Sequence, residues 1–236
     1  KVLYLDADMV VCHDVAKLYN LDLGDALLGA VRDPIISGSN KSPLYNKHVD
    51  MEKLGIKNIY DYFQAGVLLI NLKKIAEDGL CGRMIEYAAT HDCDLVDQDV
   101  LNLFCQGKVK FIDNKWNVDV NTIAMKVVPY APARMWKEYR KNREEAYIYH
   151  FAGADKPWSN PALDKADIFW DAARKTAWYE IILEDLIGSA VFFRRGIVTK
   201  TDPVLERLSL WPDDVAGLAI PIMKAYSELA SIGLAE

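Results

Sequence analysis

The sequence lacks the features that mark several large classes of protein. Its four cysteines form no Cys-x-x-Cys pair and no cluster with histidine at zinc-site spacing, so we expect reduced thiols and a cytoplasmic location. Cys12 and Cys105 have apolar neighbours and are predicted to be buried. No apolar run reaches the about 18 residues of a membrane-spanning helix. The net charge of −6 argues against a nucleic-acid-binding face.

What the sequence does contain is enough apolar material for one sizeable core, because 51% of its 236 residues are hydrophobic. Strand-like apolar runs alternate with amphipathic helical patterns along the first two thirds of the chain. The predicted strands are 1–5, 9–12, 27–31, 65–71, 109–112 and 146–151, and the main predicted helices are 72–90 and 97–105. Strands separated by helices predict an α/β domain.

Two stretches differ from this alternation. Residues 35–62 are rich in Ser, Asn, Lys and Gly and predict a long loop with short helical turns, which is a candidate acceptor-binding region. After residue 158, helical patterns at 160–174 and 176–186 and later proline breaks predict a helical extension over 159–236, following a core at 1–158. The apolar and basic segment 192–200 fits either ordinary packing with solvated arginines or a contact with a membrane surface.

The first strand ends in the triplet Asp6-Ala7-Asp8. Side chains two positions apart on an extended backbone share a side, with Cα atoms about 6.5 Å apart. Both carboxylates can therefore turn onto one divalent cation, which would attract a diphosphate that the bare acids would repel. The alternative is a solvated acid pair in a loop. Of the three Asp-x-Asp triplets in the chain, only this one follows a strand-like run.

Two further segments carry polar groups beside regular structure. Gln64 directly precedes a strand that opens with Ala65 and Gly66, and these small residues permit close approach of a ligand to the backbone. A core strand with an incidental amide in front is the alternative. Asp97 and Gln98 begin a predicted helix, where they either present hydrogen-bonding groups to sugar hydroxyls or cap the helix and complement its dipole.

The last segment of this kind is His150-Phe151-Ala152-Gly153-Ala154-Asp155-Lys156. A lone histidine in a strand is usually a structural residue. Here His150 is followed by Gly153 and Lys156, which are the parts needed for a third metal ligand and a phosphate clamp.

Together these segments resemble the bacterial branch of glycosyltransferase family 8, retaining enzymes with a GT-A fold that use nucleotide sugars and Mn²⁺. The resemblance extends from residue 1 to about residue 158, in the order Leu-Tyr-Leu-Asp-Ala-Asp, Phe-Gln-Ala-Gly-Val-Leu-Leu-Ile-Asn-Leu, Asp-Gln-Asp-Val-Leu-Asn, Trp-Asn and His-Phe-Ala-Gly-Ala-Asp-Lys-Pro-Trp. Several ordered motifs are more specific than any one of them.

The resemblance implies a role for each matching position. Asp6, Asp8 and His150 would hold Mn²⁺ or Mg²⁺, and the diphosphate would contact Gly153 and Lys156. The donor-sugar pocket and catalytic centre would be lined by Asp33, Gln64, Ala65, Gly66, Asp97 and Gln98. It also implies a GT-A-like mixed sheet flanked by helices, N-terminally incomplete, with a UDP-hexose donor and a glycan or lipid-linked glycan acceptor such as lipopolysaccharide. The expected location is cytoplasmic or at the inner face of the membrane.

One departure and two alternatives accompany this interpretation. Members of the family carry a nucleotide-binding portion before the Asp-x-Asp strand, and it is missing here, so we expect these 236 residues alone to bind nucleotide weakly. The chain could therefore be a catalytically inactive domain that keeps the fold and the metal site. The triplet at Asp6 also satisfies the opening motif of haloacid-dehalogenase-type phosphatases, in which the first Asp is a nucleophile. Those enzymes need a later acidic strand end, for which Asp213-Asp214 is the only late adjacent pair.

Overall fold

The structure is a computed structural model that describes residues 1–39, 54–123 and 130–194 of the chain. Compact packing divides the chain into two units. The first comprises residues 1–157 and 161–169, and the second comprises 158–160 and 170–236. All strands of the described residues belong to the first unit.

The strands are short except for the central one. They are β1 (Val2–Leu5), β2 (Met9–Val11), β3 (Leu28–Arg32), β4 (Phe63–Ile70), β5 (Val109–Phe111), β6 (Val118–Asp119) and β7 (Ile148–His150). The helices are α1 (Ala16–Tyr19), α2 (Pro34–Ser39), α3 (Leu72–Glu77), α4 (Leu80–Thr90), α5 (Asp97–Cys105), α6 (Ala133–Asn142), α7 (Ala166–Ala173) and α8 (Tyr179–Arg194). Three 3₁₀ turns lie at Ile59–Asp61, Asn114–Trp116 and Val120–Ile123.

The strands form two sheets, of order β1-β4-β3-β5 and β2-β7-β6. In the first, β4 is antiparallel to both β1 and β3, while β3 and β5 are parallel. This arrangement, with helices packed against the strands, confirms the predicted α/β class with a mixed sheet. A core cluster of β3, β4 and the helical segments includes Leu28, Phe63, Leu68, Ile75 and Leu80.

The second sheet has its own apolar layer and carries the predicted metal-binding histidine. Val118, Tyr149 and Phe151 are buried in one cluster with Tyr139 of α6. His150, between Tyr149 and Phe151, is 1% exposed. The alternation along β7 therefore directs His150 to the side opposite this cluster.

Several sequence-based boundaries were wrong, each for a local reason. The predicted helix 72–90 is two helices, because Gly79 takes the left-handed conformation (φ 62°) between them. The predicted helix 160–174 is helical only over Ala166–Ala173. Helix α6 was not predicted, since half of its ten residues are charged and only Tyr139 and Asn142 are fully buried. Cys105 is buried as predicted, whereas Cys12 lies just beyond the short strand β2 and is exposed.

In the second unit, the described residues end with α8, and the rings of Trp170 and Tyr179 meet edge to face with centroids 6.2 Å apart. None of the helices in the described ranges is long and apolar enough to cross a membrane. The segment 192–200, for which a membrane-surface contact was one interpretation, lies outside the described residues beyond residue 194, as does Asp213-Asp214.

Candidate active site

Three backbone pairings bring the predicted metal ligands together. Asp6 follows β1, and its N–H donates to the carbonyl of Gly66 on β4 at 2.9 Å. Asp8 precedes β2, and its carbonyl accepts from the N–H of Phe151 at 2.9 Å. His150 lies opposite Met9 in the antiparallel pair of β2 and β7. The Asp-x-Asp turn therefore crosses from one sheet to the other directly beside the imidazole.

The resulting cluster has the composition and size of a divalent-cation site. One ligand atom from each of Asp6, Asp8 and His150 lies within 4.8 Å of the others. His150 Nε2 is 3.2 Å from Asp8 Oδ1 and 3.5 Å from Asp6 Oδ2. Carboxylate oxygens suit Mn²⁺ and Mg²⁺, and an imidazole nitrogen is a ligand that favours the transition metal. The donor set fits the cation that the sequence predicts.

The charges around Asp8 keep it ionised. Burial by itself would raise the pKa of Asp8, but its contacts with His150 and Lys156 outweigh burial and hold that pKa well below its usual range. Lys156 Nζ binds Asp8 Oδ2 and also donates to the carbonyl of Phe151 at 2.7 Å. A carboxylate that stays ionised is ready to bind a cation.

Asp6 is oriented by a neighbour on the same strand. Tyr4 OH donates to Asp6 Oδ1 at 2.8 Å, which leaves Oδ2 on the side of His150. This hydrogen bond is the main reason that the pKa of Tyr4 is raised to about 12, and a smaller contribution comes from the charge of Asp97. Asp97 itself is exposed in the first turn of α5.

At Gly66, the space that a side chain would need is already occupied by atoms of neighbouring residues. A Cβ on Gly66 would lie 2.5 Å from His150 Cε1, 2.8 Å from Asp6 Oδ2 and 2.9 Å from Gln64 Oε1. Side-chain carbons do not approach so closely in folded proteins, so this position requires glycine for space. The small residue is evident from the sequence, and the structure shows that its missing side chain makes room for Asp6 and His150, two of the predicted metal ligands.

The predicted sugar-pocket residues form a connected group at the start of β4 and α5. Gln98 Oε1 accepts from Ala65 N at 2.8 Å, and Gln98 Nε2 donates to Asp33 Oδ2 at 3.2 Å. Asp33 is buried, and its Oδ1 accepts from the N–H groups of Ile35 and Ile36. Burial raises the pKa of Asp33, while those N–H groups lower it. The amide of Gln98 thus links Asp33 to the strand that carries Gly66.

Two further polar residues of α5 hold this helix against the start of β4 and the residue before it. Asn102 accepts from Phe63 N and donates to Phe63 O, both at 2.8 Å. Asp99 is 1% exposed and accepts from Tyr62 OH at 2.6 Å and from Leu95 N at 2.9 Å. The amides of Asn102 and Gln98 thus bond the backbone of β4 at Phe63 and Ala65, which β1 does not pair with.

The glycine and lysine after β7 lie in a loop held by Asn121. Asn121 Nδ2 donates to the carbonyl oxygens of Ala152 and Asp155. Gly153 has φ 87° and nothing within 4 Å of the position that a Cβ would take. The structure therefore places an open, left-handed backbone turn next to the lysine that contacts Asp8.

Sequence reasoning did not assign roles to Asn117, Asp119 and Asn121. Asn117 Oδ1 lies 3.0 Å from His150 Nδ1. Asp119 is opposite His150 in the parallel pair of β6 and β7, and burial raises its pKa to about 7 although the charge of His150 lowers it. The Trp-Asn pair at 116–117 is one of the motifs by which the sequence resembles family 8. Only the structure, in which β6 pairs with β7, shows that the amide of Asn117 contacts His150.

Comparisons with known proteins identify the family of the chain. Residues 1–162 match the model of the family Glycosyl transferase family 8. The chain is 36% identical over 119 residues, half of its length, to a putative glycosyltransferase of Haemophilus influenzae. It is 29% identical over 192 residues, 78% of its length, to the lipopolysaccharide 1,2-glucosyltransferase of Escherichia coli. Among solved structures, the WbbM bifunctional glycosyltransferase in its apo form shares 26% identity and a TM-score of 0.71 over 78% of the chain.

These matches cover only part of each relative. The chain covers 34% of the H. influenzae protein, 49% of the E. coli enzyme and 34% of the WbbM chain. The family match nevertheless extends over more than half of the 236 residues and includes the opening acid pair and the histidine strand. The family model that matches is one of glycosyl transferases. The chain belongs to glycosyl transferase family 8.

Proposed function

We propose that the protein transfers a hexose from a UDP-sugar to a hydroxyl acceptor, with retention of the anomeric configuration, using Mn²⁺ or Mg²⁺. The observation that carries this proposal is the convergence of Asp6, Asp8 and His150, whose ligand atoms lie within 4.8 Å of one another. Two carboxylates and an imidazole match the ligand preference of Mn²⁺. The family membership supports the reaction class.

The cation, when bound, would neutralise charge on the diphosphate leaving group as a Lewis acid. Lys156 would add a fixed positive charge at the same developing anion. In the absence of substrate its ammonium pairs with Asp8, so diphosphate would compete with Asp8 for that contact. The open backbone at Gly153 gives the phosphates access to the loop.

The donor sugar would lie against the group formed by Asp33, Gln64, Ala65 and Gly66, with Asp97 and Gln98 at the start of α5. Gln98 is a weak nucleophile, and both ends of its amide are engaged with Ala65 and Asp33. A covalent intermediate on this residue is therefore disfavoured. We propose that the acceptor hydroxyl attacks from the face of the departing phosphate, through an oxocarbenium-like state.

The acceptor that we propose is a surface glycan or a lipid-linked glycan such as lipopolysaccharide. The similarity to a protein named lipopolysaccharide 1,2-glucosyltransferase supports it. The same acceptor class favours a cytoplasmic location, at or near the inner face of the membrane. We propose that residues 159–236 form a helical extension that is distinct from the glycosyltransferase core at 1–158.

The experiment compares metal binding with catalysis. Mn²⁺ binding is measured by electron paramagnetic resonance, and Mn²⁺-dependent release of UDP from UDP-glucose and UDP-galactose is measured with deacylated lipopolysaccharide as acceptor. The expected result is that Asp8→Asn and His150→Ala each abolish both signals. Asp94→Asn, in another Asp-x-Asp triplet on the exposed surface, is the matched control and should leave both unchanged.

Three outcomes separate the alternatives. Undiminished Mn²⁺ affinity in both site variants would remove Asp8 and His150 from the metal role. Mn²⁺ binding that depends on Asp8, but with no transfer by the chain or by the complete open reading frame that encodes it, would favour the catalytically inactive domain. Inversion at the anomeric carbon, read by NMR of the product, would contradict the proposed stereochemistry.

A further inference from the structure

The candidate metal-binding histidine is the last member of a chain of hydrogen bonds that begins at a backbone N–H. Gly66 N donates to Gln64 Oε1 at 2.7 Å. The same Oε1 accepts from Asn117 Nδ2, and Asn117 Oδ1 lies 3.0 Å from His150 Nδ1. Asn117 and His150 are only 4% and 1% exposed, so water competes little for these contacts.

The direction of every hydrogen bond in this chain follows from its first member. Positions of heavy atoms do not by themselves distinguish the two ends of an amide or the two tautomers of an imidazole. A backbone N–H, however, can only donate, so the atom of Gln64 that faces Gly66 must be its oxygen. That oxygen requires a donor from Asn117, which turns the Asn117 oxygen toward the histidine. His150 must then carry a hydrogen on Nδ1.

We propose that Gln64 and Asn117 are positioning residues that select the Nδ1–H tautomer of His150, so that the lone pair on Nε2 faces Asp6 and Asp8. The inference rests on the proposed metal site and deepens it. Metal-ligating histidines generally donate their second N–H to a neighbouring group, and that contact fixes both the ring and the tautomer. In this chain the neighbouring group is an amide whose own orientation is set from β4.

The selection is needed because the metal ligands themselves favour the wrong tautomer. Nε2 lies 3.2 Å from Asp8 Oδ1 and 3.5 Å from Asp6 Oδ2. Without a cation, these carboxylates attract a hydrogen onto Nε2, which would have to leave before a metal could bind there. The amide oxygen of Asn117 opposes this, because it accepts a hydrogen bond from Nδ1–H and so stabilises the tautomer with the hydrogen on Nδ1. Gln64, predicted as a sugar-pocket residue, thereby acquires a second role that does not involve the sugar.

The test measures the tautomer of His150 by NMR and the Mn²⁺ affinity in a separate experiment. Two-bond ¹H–¹⁵N NMR of the metal-free chain, recorded over a series of pH values, distinguishes the two ring nitrogens, and His150→Ala assigns the signal among the four histidines. Mn²⁺ affinity is measured by electron paramagnetic resonance. The variants are Asn117→Leu, Gln64→Leu and Gln64→Glu. The control is Asn142→Leu, which removes an equally buried amide that binds Asp113 instead.

The expected result differs for each variant. Asn117→Leu should move the hydrogen to Nε2 and weaken Mn²⁺ binding by about 10- to 100-fold. Gln64→Leu should act in the same direction with a smaller effect, because Asn117 can then rotate. Gln64→Glu keeps an oxygen that accepts from Gly66 and Asn117, so the Nδ1–H tautomer should be retained. Asn142→Leu should change neither measurement.

Retention of the Nδ1–H tautomer in both leucine variants at Gln64 and Asn117 would overturn the inference. If Asn117→Leu does not fold, comparison of Gln64→Leu with Gln64→Glu still tests the inference. Gln64→Leu removes the oxygen that accepts from Asn117, whereas Gln64→Glu keeps one. Failure of the unsubstituted chain to bind Mn²⁺ would instead count against the proposed function. In that case the NMR result would still show whether Asn117 selects the tautomer.

Discussion

The sharpest prediction concerns Gly66, where adding one methyl group should damage the site without removing any functional group. In Gly66→Ala, the new Cβ would lie 2.5 Å from His150 Cε1 and 2.8 Å from Asp6 Oδ2. It would also lie 2.9 Å from Gln64 Oε1. Contacts of this length are repulsive, so either the backbone of β4 or these three side chains must move.

None of the three neighbours can move without losing a hydrogen bond. His150 is 1% exposed and is held by Asn117, Asp6 is held by Tyr4, and Gln64 is held by the N–H of Gly66 itself. Overpacking of this kind typically costs about 1–3 kcal/mol. For a chain of this size, that corresponds to a fall in Tm of about 2–12 °C. Displacement of Asp6 and His150, the proposed metal ligands, should also weaken Mn²⁺ binding by about 10-fold or more.

The assay is thermal unfolding with and without Mn²⁺, together with Mn²⁺ binding by electron paramagnetic resonance. Gly82→Ala is the matched control, since nothing beyond the neighbouring backbone of helix α4 lies within 4 Å of its added Cβ. That substitution should raise stability by about 0.4–1 kcal/mol and leave Mn²⁺ affinity unchanged. If Gly66→Ala instead keeps the Tm within about 1 °C and the affinity within about 2-fold, the argument from space at β4 is wrong.

Two further predictions concern the buried polar groups around the site. Burial raises the pKa of Asp119 from its ordinary value near 3.8 to about 7, so the folded state holds the proton more tightly and loses stability as the pH rises between these values. Asp119→Asn should therefore stabilise the chain by about 1–4 kcal/mol at pH 8 and by less at pH 5. Urea unfolding at the two pH values measures both effects. An equal effect at both pH values would contradict the raised pKa of Asp119. Asn102→Ala should lower the free energy of unfolding by about 1–3 kcal/mol, because the N–H and C=O of Phe63 lose their partner in a buried position. Asn20→Ala, at an exposed position, is its control in the same urea measurement and should have little effect.

Local pattern determined much of this fold. The strands around residues 2–5 and 63–70 and the helix Asp97–Cys105 were predicted because their apolar residues repeat at the period of a strand or a helix. The left-handed residue Gly79 that divides α3 from α4 was overlooked, because one glycine hardly changes an amphipathic pattern. Helix α6 was not predicted because charged residues make up half of its sequence, and the packing of Trp136 and Tyr139 in the core cluster is visible only in the structure.

The candidate site also has features that the sequence predicts and features that only the structure shows. The sequence by itself determined which side chains could bind a cation, since Asp-x-Asp after a strand and a histidine before a glycine and a lysine are readable as local chemistry. Only the tertiary structure decided that residues 6 and 150 meet, because that depends on the pairing of β1 with β4 and of β2 with β7. It alone decided the roles of Gly66 and Asn117, because excluded volume and the direction of a hydrogen bond are properties of neighbours that are distant in the chain.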